Sequence, residues 1–186
     1  MTRLVVGPFN RVEGDLEVTL DVDSGHVRSA QVNAPMFRGF EQILLGRDAL
    51  DALVVVPRIC GICSVSQSAA AAAALARAMG VQAPPDGWRV AQLAEATENL
   101  ADHLTHFYTF FMPDFAREAY RGRAWFEAVH ARFKATVGSA ARDALPARMA
   151  FMQAMGLLAG KWPHTLTLQP GGTAQALQAS QRLRLV

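Results

Sequence analysis

The two cysteines of the chain, Cys60 and Cys63, lie in the segment Arg-Ile-Cys-Gly-Ile-Cys that begins at Arg58. Thiolates at this spacing can converge on one soft metal ion, and a sharp turn at Gly61 would place both sulfurs on the same side. A helix beginning after Cys63 and the guanidinium of Arg58 would both favour ionised thiolates. Taken alone, the pattern leaves a metal site, a redox dithiol and a structural pair open.

Two other segments carry side chains suited to proton transfer or metal binding. Glu13 lies in Arg-Val-Glu-Gly-Asp, just before the first long strand. A carboxylic acid beside a buried metal site would have a raised pKa and could relay protons, although an exposed glutamate in a turn is the simpler interpretation. His103 and His106 lie one helical turn apart, where they could bind a metal, donate hydrogen bonds to a site or pack in the core.

The composition is that of an ordinary globular chain and excludes several classes of protein. Of the 186 residues, 51% are hydrophobic and 18% are charged, and the net charge of +2 gives no electrostatic footprint for nucleic acid. No apolar run approaches the ~20 residues that a bilayer requires, so we expect no transmembrane segment. The start of the chain lacks the apolar core of a signal peptide, and two cysteines do not make a secreted disulfide scaffold, which favours the cytoplasm.

The N-terminal part of the chain has the pattern of a β-hairpin. Apolar and polar residues alternate over 16–22, a turn sequence follows at 23–25, and 27–32 has the composition of a returning strand. A short strand before Pro8 can join this pair.

From residue 48 onward the pattern becomes helical. Asp48 can cap a short helix that Pro57 ends, and longer helices are predicted over 63–79 and 90–111. We expect the helix at 90–111 to lie centrally, beside the Cys-Gly-Ile-Cys turn.

The remainder completes a mixed architecture. An interrupted helical segment is predicted over 115–144, and Pro146 suits the first turn of a further helix. The expected fold class is α+β and mostly α, with a small antiparallel sheet (1–35) packed on a helical bundle (40–160). Residues 161–186 are predicted to be loop and a truncated tail with local disorder.

Five short motifs follow one another along nearly the whole chain. They are RVEG at 11–14, RGFEQILLGRD at 38–48, RICGIC at 58–63, DHLTHFY at 102–108 and HTLTLQPGG at 164–172. In order and spacing they resemble motifs of nickel–iron hydrogenase large subunits, and RICGIC together with the upstream RVEG is a specific pair. The fold expected above would then be an incomplete large-subunit fold.

The resemblance implies a nickel ion bridged to an iron that carries carbon monoxide and cyanide, held by four cysteines. Cys60 would be a terminal nickel ligand, and Cys63 would bridge nickel and iron. The implied reaction is heterolytic cleavage of H₂, in which the metal takes the hydride and a thiolate accepts the proton. Electrons would leave through iron–sulfur clusters of a separate small subunit, because this chain has no further cysteines to ligate a cluster.

The resemblance also implies roles for residues around the metal pair. Glu13 would be the proton gate, and Glu41 would help to bind Mg²⁺ or a similar cation. His103 would donate a hydrogen bond to the centre, with Arg58 close by in a more structural role.

The sequence departs from the usual family pattern at several positions. Asp15 and Gln67 stand where histidine is common, Ile62 stands in place of valine and Phe110 in place of leucine. If Ile62 and Phe110 line the gas path to the metals, the channel is narrow, as in the H₂-sensing regulatory subclass; ordinary core variation is the alternative.

The largest departure is the absence of a second CxxC in the 186 residues. The chain also ends inside a helical segment without a stop signal. We therefore expect a truncated large subunit that cannot hold the complete bimetallic site, and a wide apolar helix face left uncovered.

Three alternative functions remain. A thiol–disulfide oxidoreductase predicts a βαβ pattern around the CxxC. A structural zinc module would use Cys60, Cys63, His103 and His106 as tetrahedral ligands. In a non-catalytic interaction subunit the same residues would only pack.

Overall fold

A computed structural model describes residues 1–9 and 14–185 of the chain. The chain divides into two compact units, Met1–Gly39 and Phe40–Val186. Glu13, together with Arg11 and Val12 of the RVEG motif, lies outside the described residues.

The first unit is a three-stranded antiparallel sheet in the order β1-β2-β3. Its strands are β1 (Thr2–Val6), β2 (Glu17–Asp23) and β3 (His26–Asn33). The predicted hairpin is confirmed, and its turn places Ser24 and Gly25 at φ angles of 52° and 76°, a region that glycine adopts easily. The short strand before Pro8 pairs with β2, also as predicted.

A row of polar side chains crosses the three strands and fixes their register. Arg3 is paired with Asp21, and Asp21 with Ser29. The guanidinium of Arg3 donates to both carboxylate oxygens of Asp21, at 2.8 and 3.0 Å, and the Ser29 hydroxyl donates to the same carboxylate at 2.8 Å. These hydrogen bonds stabilise the charged form, so the pKa of Asp21 falls to about 2.

The second unit consists mainly of α-helices joined by short turns. The described helices are α1 (Phe40–Leu44), α2 (Ala52–Val55), α3 (Ser64–Met79), α4 (Pro85–Thr105), α5 (Met112–Phe115), α6 (Phe126–Phe133), α7 (Ala140–Phe151), α8 (Gln153–Ala159) and α9 (Ala179–Leu185).

The segment that leads to the cysteines follows the sequence signals closely. The Asp48 carboxylate accepts a hydrogen bond from the Leu50 N–H at 2.8 Å and caps a 3₁₀ turn, Ala49–Asp51. Pro57 lies within a second 3₁₀ turn, Val56–Arg58, directly before the CxxC. At its far end α3 stops at Gly80, which has a φ of 67° and terminates the helix as predicted.

Helix α4 begins earlier than the hydrophobic pattern indicated. Its first residue is Pro85 rather than Val90, because proline is favoured in the first turn, where its missing N–H is not needed. The regular helix ends at Thr105, and the predicted continuation to Phe111 is a π-helix, His106–Phe111.

Two predictions in the last third of the chain are wrong. Pro146 lies inside α7 rather than in a first turn, since the helix starts at Ala140 and tolerates the loss of one backbone hydrogen bond. Residues 168–173 are not loop, since Leu168–Gln169 (β4) and Gly172–Thr173 (β5) form a small hairpin. Helix α9 then follows in the segment that the sequence pattern marks as helical.

The core of the second unit lies where α3, α4 and α8 meet. Val65, Ala94 and Met155 are completely buried there, and Trp162 of the segment after α8 packs against them. The expected class, mostly helical with a small N-terminal antiparallel sheet, is confirmed. No helix within the described part of the chain is long and apolar enough to span a membrane.

Candidate metal centre

The Cys-Gly-Ile-Cys turn connects the 3₁₀ turn Val56–Arg58 to the N-terminus of α3 and presents both thiols on partly buried residues. Cys63 is the residue that precedes α3, with φ −109° and ψ 32°. Its carbonyl oxygen accepts the hydrogen bond from the Gln67 N–H at 3.0 Å, so the first turn of the helix directly fixes the backbone of Cys63.

The two thiols lie together and interact. Burial raises the pKa of the Cys63 thiol, and the hydrogen bond with Cys60 raises it further. In the opposite direction, the Gln67 side-chain amide donates to Cys63 Sγ at 3.6 Å and lowers the pKa. Burial and the hydrogen bond with Cys60 thus raise the pKa of Cys63, the opposite direction to the one expected from a helix N-terminus.

Arg58 is exposed at the start of the turn. Its guanidinium donates a hydrogen bond to the carbonyl oxygen of Val54, one helical turn earlier. The expected stabilisation of the thiolates by the Arg58 cation stays a prediction.

Gly61 was predicted to allow a sharp turn through a backbone conformation open to glycine, but in the structure its role is close packing. Its φ is not positive. A side-chain carbon at this position would instead meet His164 Nε2 at 3.8 Å and Pro163 at 3.9 Å. The turn is therefore packed against the loop that opens the HTLTLQPGG motif.

Glu98 anchors the N-terminus of α3 from the neighbouring helix α4. Its side chain is 3% exposed, and its Oε1 accepts hydrogen bonds from the Val65 N–H at 2.8 Å and the Ser64 hydroxyl at 3.4 Å. Oε2 accepts from the N–H of Ser66 at 2.9 Å and from its hydroxyl at 3.3 Å. A buried charge at a helix N-terminus with several donors is well stabilised.

The same carboxylate is linked to α7 through an aromatic side chain. Trp162 Nε1 donates to Glu98 Oε1 at 2.9 Å, and the Arg148 guanidinium lies 5.2 Å above the Trp162 ring. Arg148 Nε in turn donates to the Thr105 hydroxyl at 2.8 Å, near the C-terminus of α4.

The HTLTLQPGG motif begins beside the cysteine turn. The His164 N–H donates to the Ser64 hydroxyl at 3.2 Å, and Thr165 is buried with its hydroxyl donating to the Ala159 carbonyl at 2.7 Å. Two motifs that are 100 residues apart in sequence are therefore neighbours in the fold.

The other predicted site residues are at exposed positions of the second unit. His103 lines an open apolar groove on α4, and Glu41 is exposed on α1. Ile62 is 50% exposed on the cysteine turn, and Phe110 is 46% exposed in the π-helix, stacked on the His106 ring at 6.3 Å. Their roles in hydrogen bonding to the centre, cation binding and gas access stay predictions.

The chemistry of the two thiols indicates which metals they could bind, and their surroundings test the Cys₂His₂ zinc hypothesis. Two adjacent thiols are soft donors that suit nickel and low-spin iron. No group of three or more His, Cys, Asp or Glu side chains that could hold a metal occurs among residues 1–9 and 14–185. The Cys₂His₂ zinc hypothesis is therefore wrong, and Cys60 and Cys63 fit a metal centre only as part of a larger ligand set.

The thiol–disulfide hypothesis also lacks its structural context. Within the described residues, the CxxC turn lies between a 3₁₀ turn and a helix, and the strands form only antiparallel sheets. The βαβ arrangement that this hypothesis predicts is not present there.

Sequence reasoning missed three residues that support the turn: Glu98, Trp162 and Arg148. Glu98 lies at a core position of the α4 pattern, between Ala94 and Ala101, and a charged residue at such a position was the available signal. Gln67 was noted only as a departure from a family pattern, whereas in the structure its amide donates to Cys63.

Comparisons with known proteins agree on one family. Residues 38–120 match the family model of nickel-dependent hydrogenases. Over its whole length the chain is 31% identical to a vhu subunit of the F420-non-reducing hydrogenase of Methanocaldococcus jannaschii, of which it covers 44%.

Solved structures give the same result. The Ni-Fe-Se hydrogenase of D. vulgaris Hildenborough in its as-isolated oxidized state superimposes on 99% of the chain with a TM-score of 0.77 and 27% identity, over 40% of its own length. An NAD⁺-reducing NiFe hydrogenase in the H₂-reduced state superimposes on the whole chain with a TM-score of 0.73 and 34% identity, over 41% of its own length. The chain thus spans less than half the length of these relatives.

Proposed function

The chain belongs to the nickel-dependent hydrogenases and corresponds to the N-terminal portion of their large subunit, and on this premise we propose that Cys60 and Cys63 are two thiolate ligands of a nickel–iron centre that cleaves H₂. The observation that carries the proposal is the pair of interacting, partly buried thiols on one turn at the start of α3. The remaining ligands of the centre, two further thiolates among them, are not supplied by the described residues.

The bound metal pair, with carbon monoxide and cyanide on the iron, supplies the Lewis acidity that polarises H₂. Cys60 would be a ligand of nickel, and Cys63 would be a ligand shared by nickel and iron. Metal binding requires both thiols to lose their protons, and the metal–sulfur bonds formed must compensate for the raised pKa of Cys63. A thiolate Sγ of this pair would hold the proton that H₂ releases.

Three further residues complete the proposed mechanism. Glu13 receives the proton from the thiolate and passes it outward. Glu41 contributes to the binding of Mg²⁺ or a similar cation, for which a carboxylate oxygen is a suitable ligand. His103 donates a hydrogen bond towards the centre.

The proposed partner is a small subunit that carries iron–sulfur clusters and removes the electrons. Within the 186 residues the only cysteines are Cys60 and Cys63, both assigned to the metal pair, so this part of the protein has no thiolate left to bind a cluster. We further propose a cytoplasmic location for the assembly.

Metal analysis of the purified protein tests the ligand assignment. We expect the Cys60→Ser and Cys63→Ser variants to lose nearly all nickel and iron, since a hydroxyl is a poor ligand for these soft metals. Ala70→Ser, at an exposed position of α3, is the matched control and should keep the metal content of the unsubstituted protein. Full metal content in either cysteine variant, or H₂ activity that survives both substitutions, would contradict the proposal and favour a non-catalytic interaction subunit.

Membership of the H₂-sensing subclass is a finer proposal that rests on Ile62 and Phe110. If these side chains narrow the gas path, the double variant Ile62→Val and Phe110→Leu should admit O₂ and inactivate faster under air than the unsubstituted enzyme. Equal inactivation rates would instead assign the two residues to ordinary packing.

A further inference from the structure

We propose that Glu98 is a positioning residue for the metal-binding turn: its buried carboxylate holds the N-terminus of α3 and thereby sets the positions of the Cys60 and Cys63 sulfurs. The inference rests on the proposed function, because it assigns Glu98 a role towards those two thiols as metal ligands. It adds a residue outside the CxxC, 35 positions further along the chain than Cys63.

The start of α3 requires an external cap. Cys63 occupies the capping position, but its side chain makes no capping hydrogen bond, so the first N–H groups of the helix need another acceptor. Glu98 provides it: its two oxygens accept from the N–H groups of Val65 and Ser66 at 2.8 and 2.9 Å. A glutamate on α4 thus performs the task that a Ser, Thr, Asp or Asn at position 63 would normally perform.

This arrangement frees position 63 for a thiol. A cysteine that binds a metal cannot direct its side chain back to the helix N–H groups. The helix that follows it can begin in a defined place only if a different residue satisfies those groups. Because Cys63 is covalently joined to Ser64, which also hydrogen-bonds to Glu98, the position of the carboxylate determines where the Cys63 Sγ lies.

Both carboxylate oxygens of Glu98 accept hydrogen bonds, and each of the partners described above is a hydrogen-bond donor. Besides the backbone N–H groups, the partners are the hydroxyls of Ser64 and Ser66 and the indole N–H of Trp162. A carboxylate matches this environment, whereas the NH₂ group of a glutamine would face donors on one side. Glu98→Gln is therefore a change of one atom that should misplace the first turn of α3.

The anchor is itself held in position. Trp162 donates to Glu98 at 2.9 Å and lies beneath the Arg148 guanidinium. Ser64 also accepts the His164 N–H at 3.2 Å, and the loop at 163–164 packs against Gly61 in the middle of the turn. Glu98 thus lies at the junction of α3, α4 and the segment after α8, and a shift there reaches the cysteine turn from two sides.

The test compares Glu98→Gln with Glu95→Gln in the purified full-length protein. Glu95 lies about one turn earlier on the same helix at a partly exposed position, so the same chemical change is made there while the Glu98 carboxylate is kept. The probe is cobalt(II) added to the metal-free protein and followed by thiolate-to-metal charge-transfer absorption. A second readout is the rate at which iodoacetamide alkylates each cysteine, measured by peptide mass spectrometry.

We expect Glu98→Gln to weaken cobalt binding by about tenfold or more and to change the shape of the absorption band, as loss of a residue that orients metal ligands commonly does. Its Cys63 alkylation rate should also change relative to Cys60. Glu95→Gln should match the unsubstituted protein in both readouts. A folded Glu98→Gln variant with unchanged cobalt affinity, spectrum and alkylation rates would overturn the proposal.

Two further outcomes distinguish a failure of the metal-ligand proposal from a failure of the Glu98 positioning proposal. If the unsubstituted protein binds no cobalt, the metal function fails, but the alkylation comparison still decides whether Glu98 positions Cys63. If Glu98→Gln loses its helical circular dichroism, Trp162→Phe decides: it removes one donor and keeps the charge. A changed Cys63 alkylation rate in that variant supports the positioning role, and an unchanged rate contradicts it.

Discussion

The two faces of helix α4 differ in a way that hydrophobicity alone does not predict. The face turned towards the core carries small or polar residues: Ala94 is 0% exposed and Glu98 3% exposed, with Thr97 also buried. The adjoining face carries the large apolar side chains Leu93 and Leu100, which are 51% and 53% exposed.

The small residues of the buried face permit close helix packing, and its one buried charge is stabilised by hydrogen bonds. Alanines allow α4 to approach α3 and α8 closely, and the space between the helices is then filled by Val65 and Met155. Glu98 is tolerated in this interior because its oxygens accept hydrogen bonds from α3 and Trp162.

The outward face has the opposite character. Leu100, Leu104, Phe107 and Phe151 line an open apolar groove together with His103. An exposed apolar surface of this kind is unusual for an isolated globular unit. This groove agrees with the expectation of uncovered apolar helix surface, while the wider face expected on several helices stays a prediction.

Replacing Glu98 by alanine should lower the stability of the protein more than any other change on either face of α4. The N–H groups of Val65 and Ser66 and the Trp162 indole would lose their buried acceptor, so we expect the free energy of unfolding to fall by about 3 kcal/mol or more. Chemical denaturation of Glu98→Ala beside Glu95→Ala measures this. A loss no larger than that of the control would mean that water replaces the carboxylate without cost.

Enlarging the core face should have the next largest effect. Ala94→Leu places a branched side chain where nothing is exposed, and overpacking of this kind costs about 1–3 kcal/mol. Ala96→Leu, the same change at an exposed position of α4, is the control and should alter the free energy of unfolding far less. Equal effects at both positions would show that α3 and α8 separate readily from α4.

Truncating the outward face should change stability very little. Leu100→Ala removes a side chain that is mostly in solvent, so a shift within about 0.5 kcal/mol is expected. Binding of a hydrophobic dye should fall in the same variant, because the apolar groove loses one wall. A large loss of stability would reveal packing of Leu100 that its exposure does not indicate.

The smallest effect is expected at Asp21, a partly buried carboxylate on β2, in contrast to the fully buried Glu98. Its pKa of about 2 lies below the ordinary value of 3.8, so its contribution to stability is complete above about pH 4 and is lost as the pH falls through 2. Asp21→Asn should lower the hydrogen-exchange protection of the β1–β2 amides at neutral pH, and the two proteins should converge near pH 2. A difference that persists at that pH would assign the effect to the side-chain hydrogen bonds rather than to charge.

Local signals predicted the elements well where one residue decides the backbone. Asp48 caps its turn, Gly80 ends α3 and Gly25 forms the hairpin turn, and each acts through its own side chain or its freedom at positive φ. The errors fall where packing overrides local preference. Pro146 lies inside a helix, and residues 168–173 form a hairpin in a predicted loop.

By itself, the sequence determined the pair of thiols, the helix that follows them and the family to which the five motifs belong, because these depend on residue types and short spacings. Only the tertiary structure decided how the turn is supported. Glu98, Trp162 and His164 are distant from Cys63 along the chain, and their hydrogen bonds exist only once α3, α4 and the loop after α8 are packed together. The raised pKa of the Cys63 thiol also depends on the folded chain, since its largest causes are burial and the hydrogen bond with Cys60.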